Sequence, residues 1–162
     1  MTLLCVALLL PACSGREARR RAADVASVKN HVKRADACHD VGDYAGAMAE
    51  LKAALRSRPT DPELLGRFAL AARLRFYQTG EDDYRDQELD ALRRAVKAQE
   101  ASATLQVDLG TALWESGRRR DAGQAYRRAL ELEPGHPDAA ILKERIARAK
   151  EDEPPPEEED RD

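Results

Sequence analysis

Residues 117–134 read GRRRDAGQAYRRALELEP, and residues 42–59 read GDYAGAMAELKAALRSRP. Laid over one another, Gly42, Ala47, Leu51, Ala54, Leu55 and Pro59 fall on Gly117, Ala122, Tyr126, Ala129, Leu130 and Pro134, every pair 75 residues apart. Six matches at one offset mark an internal repeat. The same spacing lies between them in ELDALRRAVKAQE, where Leu92, Ala95 and Val96 stand 34 residues before Tyr126, Ala129 and Leu130, and 41 after Leu51, Ala54 and Leu55. The period is therefore 34 residues, stretched once by seven.

The arginines of the opening stretch belong to the outside of a helix. At 100° per residue, Ala122, Tyr126, Ala129, Leu130 and Glu133 fall on one side and Arg120, Gln124, Arg127, Arg128 and Glu131 on the other. Arg127–Glu131 and Arg128–Glu131 are helical neighbours, each pair worth only about 0.2–0.5 kcal/mol. A nucleic-acid surface needs exposed aromatics among its cations; the aromatic here, Tyr126, faces the core, so no nucleic-acid partner is expected. Aromatics make up 4% of the chain and Ala, Leu, Arg and Glu dominate it, which is the composition of packed helices. The fold class is all-α. Gly42 and Gly117 fit tight turns between helices, while Asp61-Pro62 and His136-Pro137 read as helix starts with proline in the first turn.

The 34-residue spacing of small and bulky residues resembles the tetratricopeptide repeat, whose pattern is W-x2-L-G-x2-Y, then A-x3-F, then P. Three units are expected, at about 28–61, 62–101 and 102–136, with a capping helix over 137–150 in which Ile141, Leu142 and Ile146 share one side. The third carries Leu109, Gly110 and Leu113 in its first helix. The second has Leu65, Phe68, Ala69 and Ala72 there, but Glu100 where the closing proline belongs. The first places His31, Arg34, Ala35 and Cys38 where Trp, Leu, Gly and Tyr are typical. The resemblance implies an α-solenoid of helix-turn-helix repeats whose first helices line a groove for a protein or peptide partner. It places Val32, Asp36 and His39, then Arg67, Leu70, Arg73 and Leu74, then Val107, Thr111 and Trp114 along that groove. Trp114, the only tryptophan, is either the groove's anchor, with Arg73 to stack on it or to hold an acidic residue of the partner, or a seal packed against the lengthened second unit.

The N-terminal run TLLCVALLLPA is eleven uncharged residues, too short for a permanent membrane span and right for a leader. Leu10-Pro11-Ala12-Cys13-Ser14 resembles a bacterial lipobox, although Pro11 is unusual in its slot and only Met-Thr precedes the apolar run. This reading gives a leader over 1–12, lipid on Cys13, a polar and basic tether over 13–27, and the helical domain over 28–150. Arg16 and Arg19 to Arg21 then lie near phospholipid headgroups. Ser14 after the cysteine resembles the class sent to the outer membrane, so the expected location is the cell envelope, facing the periplasm. The last twelve residues, EDEPPPEEEDRD, hold eight acids and one arginine and are expected to be disordered; without them the body is mildly basic.

His31, Asp36, Cys38, His39 and Asp40 form a cluster of metal-ligand types, but His31 and Cys38 stand in core slots and no third and fourth ligands follow at regular spacing. No metal is expected. Glu81, Asp82 and Asp83 read as a hydrated acidic loop. Nucleophile elbows, phosphate loops and zinc-protease motifs are missing from the sequence, so neither enzyme activity, cofactor nor small-molecule substrate is expected. The function expected is a lipid-anchored scaffold or assembly factor. The alternatives are an intracellular chaperone adaptor, whose Lys and Asn clamp is replaced here by Val32 with Asp36 and Val107 with Thr111, and a metal or redox sensor using Cys38 and His39.

Overall fold

The computed structural model describes residues 12–151, and all the regular structure among them is helical. The leader, the Cys13 side chain and the acidic tail lie outside the described residues. The helices are α1 (Ala12–Asp40), α2 (Tyr44–Ser57), α3 (Pro62–Thr79), α4 (Asp82–Ala98), α5 (Ala103–Glu115), α6 (Arg119–Leu132) and α7 (Ala139–Glu151). Each packs against the next, so that three helical hairpins stack into a solenoid and α7 covers the last. The helix α1 runs back from the first repeat through the stretch read as a tether. No described helix is long and apolar enough to cross a membrane.

Local chemistry sets the helix ends. Asp61 accepts from the backbone N–H of Glu63 and Leu64 (3.1 and 3.2 Å) with Pro62 in the first turn, and Asp43 and Ser102 cap α2 and α5 in the same manner. Gly42 and Gly117 take φ of 76° and 75° in equivalent hairpin turns, where a side chain would be strained. At the other proline the expectation needs correcting: α7 starts at Ala139, because Pro137 and Asp138 are spent on a turn closed by Ala139 N–H to His136 C=O (2.9 Å). Within α7 the packed stripe is Leu142, Ile146 and Ala149, and Ile141 is exposed, about 100° round from Leu142.

The core lies between the two helices of each hairpin. In the third, a Cβ on Gly110 would stand 2.5 Å from Tyr126 Cε1, so the absence of a side chain on α5 is what admits the phenol of α6. Tyr126 is 0% exposed, and its hydroxyl accepts from Arg145 Nη1 of α7 (2.7 Å), tying the cap to the array.

The seven extra residues of the second unit make no loop. They lengthen both helices, α3 to 18 residues against 13 for α5 and α4 to 17 against 14 for α6. The stretch read as an acidic loop is thus largely helical: Gly80 ends α3 at φ 72°, and Asp82 and Asp83 form the first turn of α4, where carboxylates meet the positive end of the helix dipole. The extra turns reach both neighbours. Gln78 donates to the carbonyl of Gly42 (3.0 Å), and the Tyr77 hydroxyl donates to Glu115 of α5 (2.8 Å).

Candidate functional site

Two adjoining cavities indent the face built by the first helices. Asp36 and His39 of α1 and Arg67 and Leu70 of α3 rim one of about 250 Å³, floored by Ala47 and Leu51 of α2. Arg67, Leu70 and Arg73 of α3 and Asp108 of α5 rim the other, of about 260 Å³, floored by Ala69 and Leu92. Leu70, 47% exposed, is the apolar ridge shared by both.

The cations of this face are neutralised from within the protein. Arg67 Nη1 lies 2.6 Å from Asp36 and its other arm 3.2 Å from Glu63. Arg73 Nε lies 2.6 Å from Glu88, and its Nη2 donates to the backbone carbonyl of Asp108 (3.4 Å). The Asp108 carboxylate differs from its neighbours: among the described residues it has no hydrogen bond or ion pair. Burial pushes its pKa up, against the opposing pull of Arg73. A half-buried carboxylate without a donor is a ready acceptor for a cation or an N–H group from outside.

Other residues read as groove positions stand apart from these cavities. Val32 and Val107 pack against the core, Leu74 is half-buried, and Thr111 Oγ1 lies 3.4 Å from the Tyr126 hydroxyl. Trp114 is half-buried at the end of α5, with the guanidinium groups of Arg119 and Arg145 at 5.3 and 5.6 Å from its ring centre. The expected stacking of Arg73 on Trp114 does not form, because Glu88 holds Arg73.

Sequence reading passed over Asp108 and the buried network behind Arg73. Glu88, 0% exposed, accepts from Arg73 and from Arg85 Nη1 (2.7 Å); Arg85 also reaches Glu115 (2.9 Å) and covers the Phe76 ring at 4.3 Å. A signal was present. Glu88 stands 41 residues after Ala47 and 34 before Ala122, in the small slot of the repeat, and a carboxylate in an alanine slot must find buried partners. Asp108 gives no such signal, since its slot faces outward in the pattern.

The metal-ligand types of α1 disperse to different neighbours. His31 Nδ1 lies 2.6 Å from Glu50, Cys38 packs against the core, and His39 meets the Tyr44 ring edge-on at 5.6 Å. Among the described residues no group of three or more His, Cys, Asp or Glu side chains could hold a metal ion.

Residues 28–61 and 103–136 match the Tetratricopeptide repeat pattern. The chain carries tetratricopeptide repeats. The stretch between these two repeats is the lengthened unit. No curated protein matches the sequence. Among solved structures, MamA is similar at 22% identity and TM-score 0.63, over 76% of this chain and 67% of that one. The second tetratricopeptide domain of human RPAP3, in complex with the HSP70 peptide SGPTIEEVD, is similar at 16% identity and TM-score 0.65, over 78% and 98%. The type III secretion chaperone SycD of Yersinia enterocolitica, in complex with a peptide of the translocator YopD, is similar at 12% identity and TM-score 0.63, over 75% and 91%. At these identities the likeness is one of fold.

Proposed function

We propose that the face of α1, α3 and α5 holds a protein segment of apolar and basic character, and that the chain works as a lipid-anchored scaffold or assembly factor in a bacterial cell envelope. The carrying observation is the pair of cavities on either side of exposed Leu70, with the Asp108 carboxylate open to a donor. Each cavity is of a size for one apolar side chain, and Asp108 suits a Lys, an Arg or a backbone N–H beside it. Acidic peptides such as that bound by the RPAP3 domain fit poorly. Arg67 and Arg73 already answer Asp36, Glu63 and Glu88, and no cation is left over between the cavities.

The test is fluorescence anisotropy with three labelled peptides that alternate Leu with Lys, Ser or Glu. Binding is expected to rank Lys over Ser over Glu. Leu70→Asp should weaken the Lys peptide about tenfold, the equivalent of about 1.4 kcal/mol, and Asp108→Asn should remove the preference for Lys over Ser. Equal binding of the Lys and Glu peptides would sink this reading of the groove. The anchor rests on Leu10-Pro11-Ala12-Cys13 alone. It is checked by fractionation: wild-type protein is expected with membranes, and Cys13→Ser in the soluble fraction or unprocessed.

A further inference from the structure

The first helices of the three units share a slot that the repeat fills with bulk, and its three occupants differ in what answers them. His31, Leu65 and Gln106 hold it, 34 and then 41 residues apart. His31 is answered by Glu50 of α2, whose carboxylate lies 2.6 Å from its Nδ1 and 2.9 Å from Arg34. Leu65, 0% exposed, needs no polar partner. Gln106 is 8% exposed, and among the described residues its side-chain amide has no hydrogen bond. A buried amide without a partner is a standing cost to the fold.

The acid is missing where this amide needs it. Glu50 stands 75 residues before Ala125, and Ala125 lines, with Gln106, a hollow of about 440 Å³ between α4 and α6. Leu109 and Leu113 of α5 floor the hollow, and Arg93 of α4 and Asp121 of α6 rim it. Asp121 is taken, since it accepts from Arg118 Nε (3.0 Å). Arg93 has no hydrogen bond or ion pair among the described residues. In the equivalent hollow between α2 and α4, Lys52 stands in the place of Arg93, 41 residues earlier, and it donates to Gln87 (3.2 Å). Gln106 and Arg93 thus line one cavity, each without the acceptor that His31, Arg34 and Lys52 have.

We propose that the hollow between α4 and α6 binds a carboxylate side chain of a partner protein, a Glu or Asp beside an apolar residue. The carboxylate takes the place that Glu50 holds in the first unit. It accepts from the Gln106 amide and pairs with Arg93, while its apolar neighbour covers Leu109 and Leu113. The hollow is a surface groove and not an enclosed cavity, so the carboxylate arrives on a segment whose backbone stays outside. None of these residues belongs to the groove of the first helices, and the inference stands or falls apart from the reading of that groove.

The probe is acetyl-Leu-Glu-Leu-amide, titrated into isotope-labelled full-length protein. The readout is the NMR signal of the Gln106 side-chain amide, assigned by its loss in Gln106→Leu. That signal is expected to shift with the Glu peptide and to stay in place with acetyl-Leu-Gln-Leu-amide. Arg93→Gln should weaken the titration about tenfold. Ala125→Glu, which supplies the acid that Glu50 supplies in the first unit, should shift the signal without peptide and abolish the response to it. Gln106→Leu copies Leu65 and should melt no lower than the wild type; a lower midpoint would show that the amide is already satisfied, and overturns the proposal. Equal shifts with the two peptides overturn it as well. Butyrate acting as strongly as the Glu peptide at equal concentration does the same, in favour of a small organic acid. The titration of Leu70→Asp should match that of the wild type, and a loss there would place the peptide in the groove of the first helices instead.

Discussion

In the third hairpin the space between the helices is filled by the Tyr126 ring lying over Gly110. The equivalent positions of the second hairpin, 34 residues before Tyr126 and 41 before Gly110, hold Leu92 and Ala69. A smaller residue on the second helix goes with a larger one on the first, so the summed volume is kept. One turn away the two hairpins part company. Ala122 sits buried in the third where Glu88 sits buried in the second, and Glu88 draws Arg73 and Arg85 in with it. The third hairpin is held by shape and the second partly by charge. The extra turn of α3 helps explain why the second can be, because it carries Phe76 and Tyr77, whose rings lie against the Arg85 guanidinium at 4.3 and 5.7 Å.

The contrast breaks first at Glu88. Glu88→Ala leaves two arginines without their shared acid and is expected to cost about 3–5 kcal/mol in urea unfolding. Removing the stranded cations as well, by adding Arg73→Leu and Arg85→Leu, should recover much of that loss; no recovery would mean that the network does more than satisfy itself. Next in size is Gly110→Ala, which pushes a methyl group into the Tyr126 ring and should cost about 1–3 kcal/mol. The double change Gly110→Ala with Tyr126→Leu copies the pair Ala69 and Leu92, and it should be more stable than Gly110→Ala alone. A smaller effect of opposite sign is expected at Asp108. Burial holds its pKa above the ordinary value of 3.8, so its charged form opposes folding at neutral pH, and stability is gained as pH falls through the raised value. Asp108→Asn should therefore raise the melting midpoint at pH 7, and a fall would show that Arg73 outweighs the burial.

The smallest effect tests whether exposure, and not the presence of charge, makes the second hairpin special. Glu50 on α2 carries an ion pair at the surface, where Arg34 first, and then His31, hold its carboxyl down at about 2 from an ordinary 4.5. A lowered acid stabilises fully above its unfolded value and loses that contribution as pH falls through the folded one. Wild type and Glu50→Gln should thus differ slightly at pH 6 and converge between pH 4.5 and 2. A loss at pH 6 as large as that of Glu88→Ala would erase the distinction between buried and exposed pairs.

The offset of 75 residues was enough to read the helices, their pairing and the core slots, because bulky and small residues recur only where packing demands them. The lengthening by seven was visible too, but its form was not. Gly80 followed by three acids reads as a turn, yet the same acids favour a helix start, and tertiary contacts from Tyr77 and Gln78 to the neighbouring units decide in favour of longer helices. At the groove, Leu70 and Arg67 were legible from register alone. Which charges cancel was not, because Arg67 meets Asp36 across 31 residues of chain and Arg73 meets Glu88 across 15. Ile141 was misplaced for a simpler reason: a short capping helix buries a narrow stripe, and one residue of rotation carries a side chain out of it.

Repeated units bring a hazard that single-core domains avoid, since hairpins built to one pattern can join in the wrong order while the chain folds. Three units that buried only alanine and leucine between them would offer little to tell a correct neighbour from an incorrect one. The arginines held by Glu88 reduce that ambiguity. Arg85, three residues before Glu88 on α4, reaches Glu115 of α5 at 2.9 Å, and Arg73 of α3 donates to the Asp108 carbonyl of α5 at 3.4 Å, so the second hairpin meets the third through groups that alanine and leucine cannot supply. The acid in the alanine slot thus works as a registration mark: by holding two arginines in place it fixes what the second hairpin offers to the third.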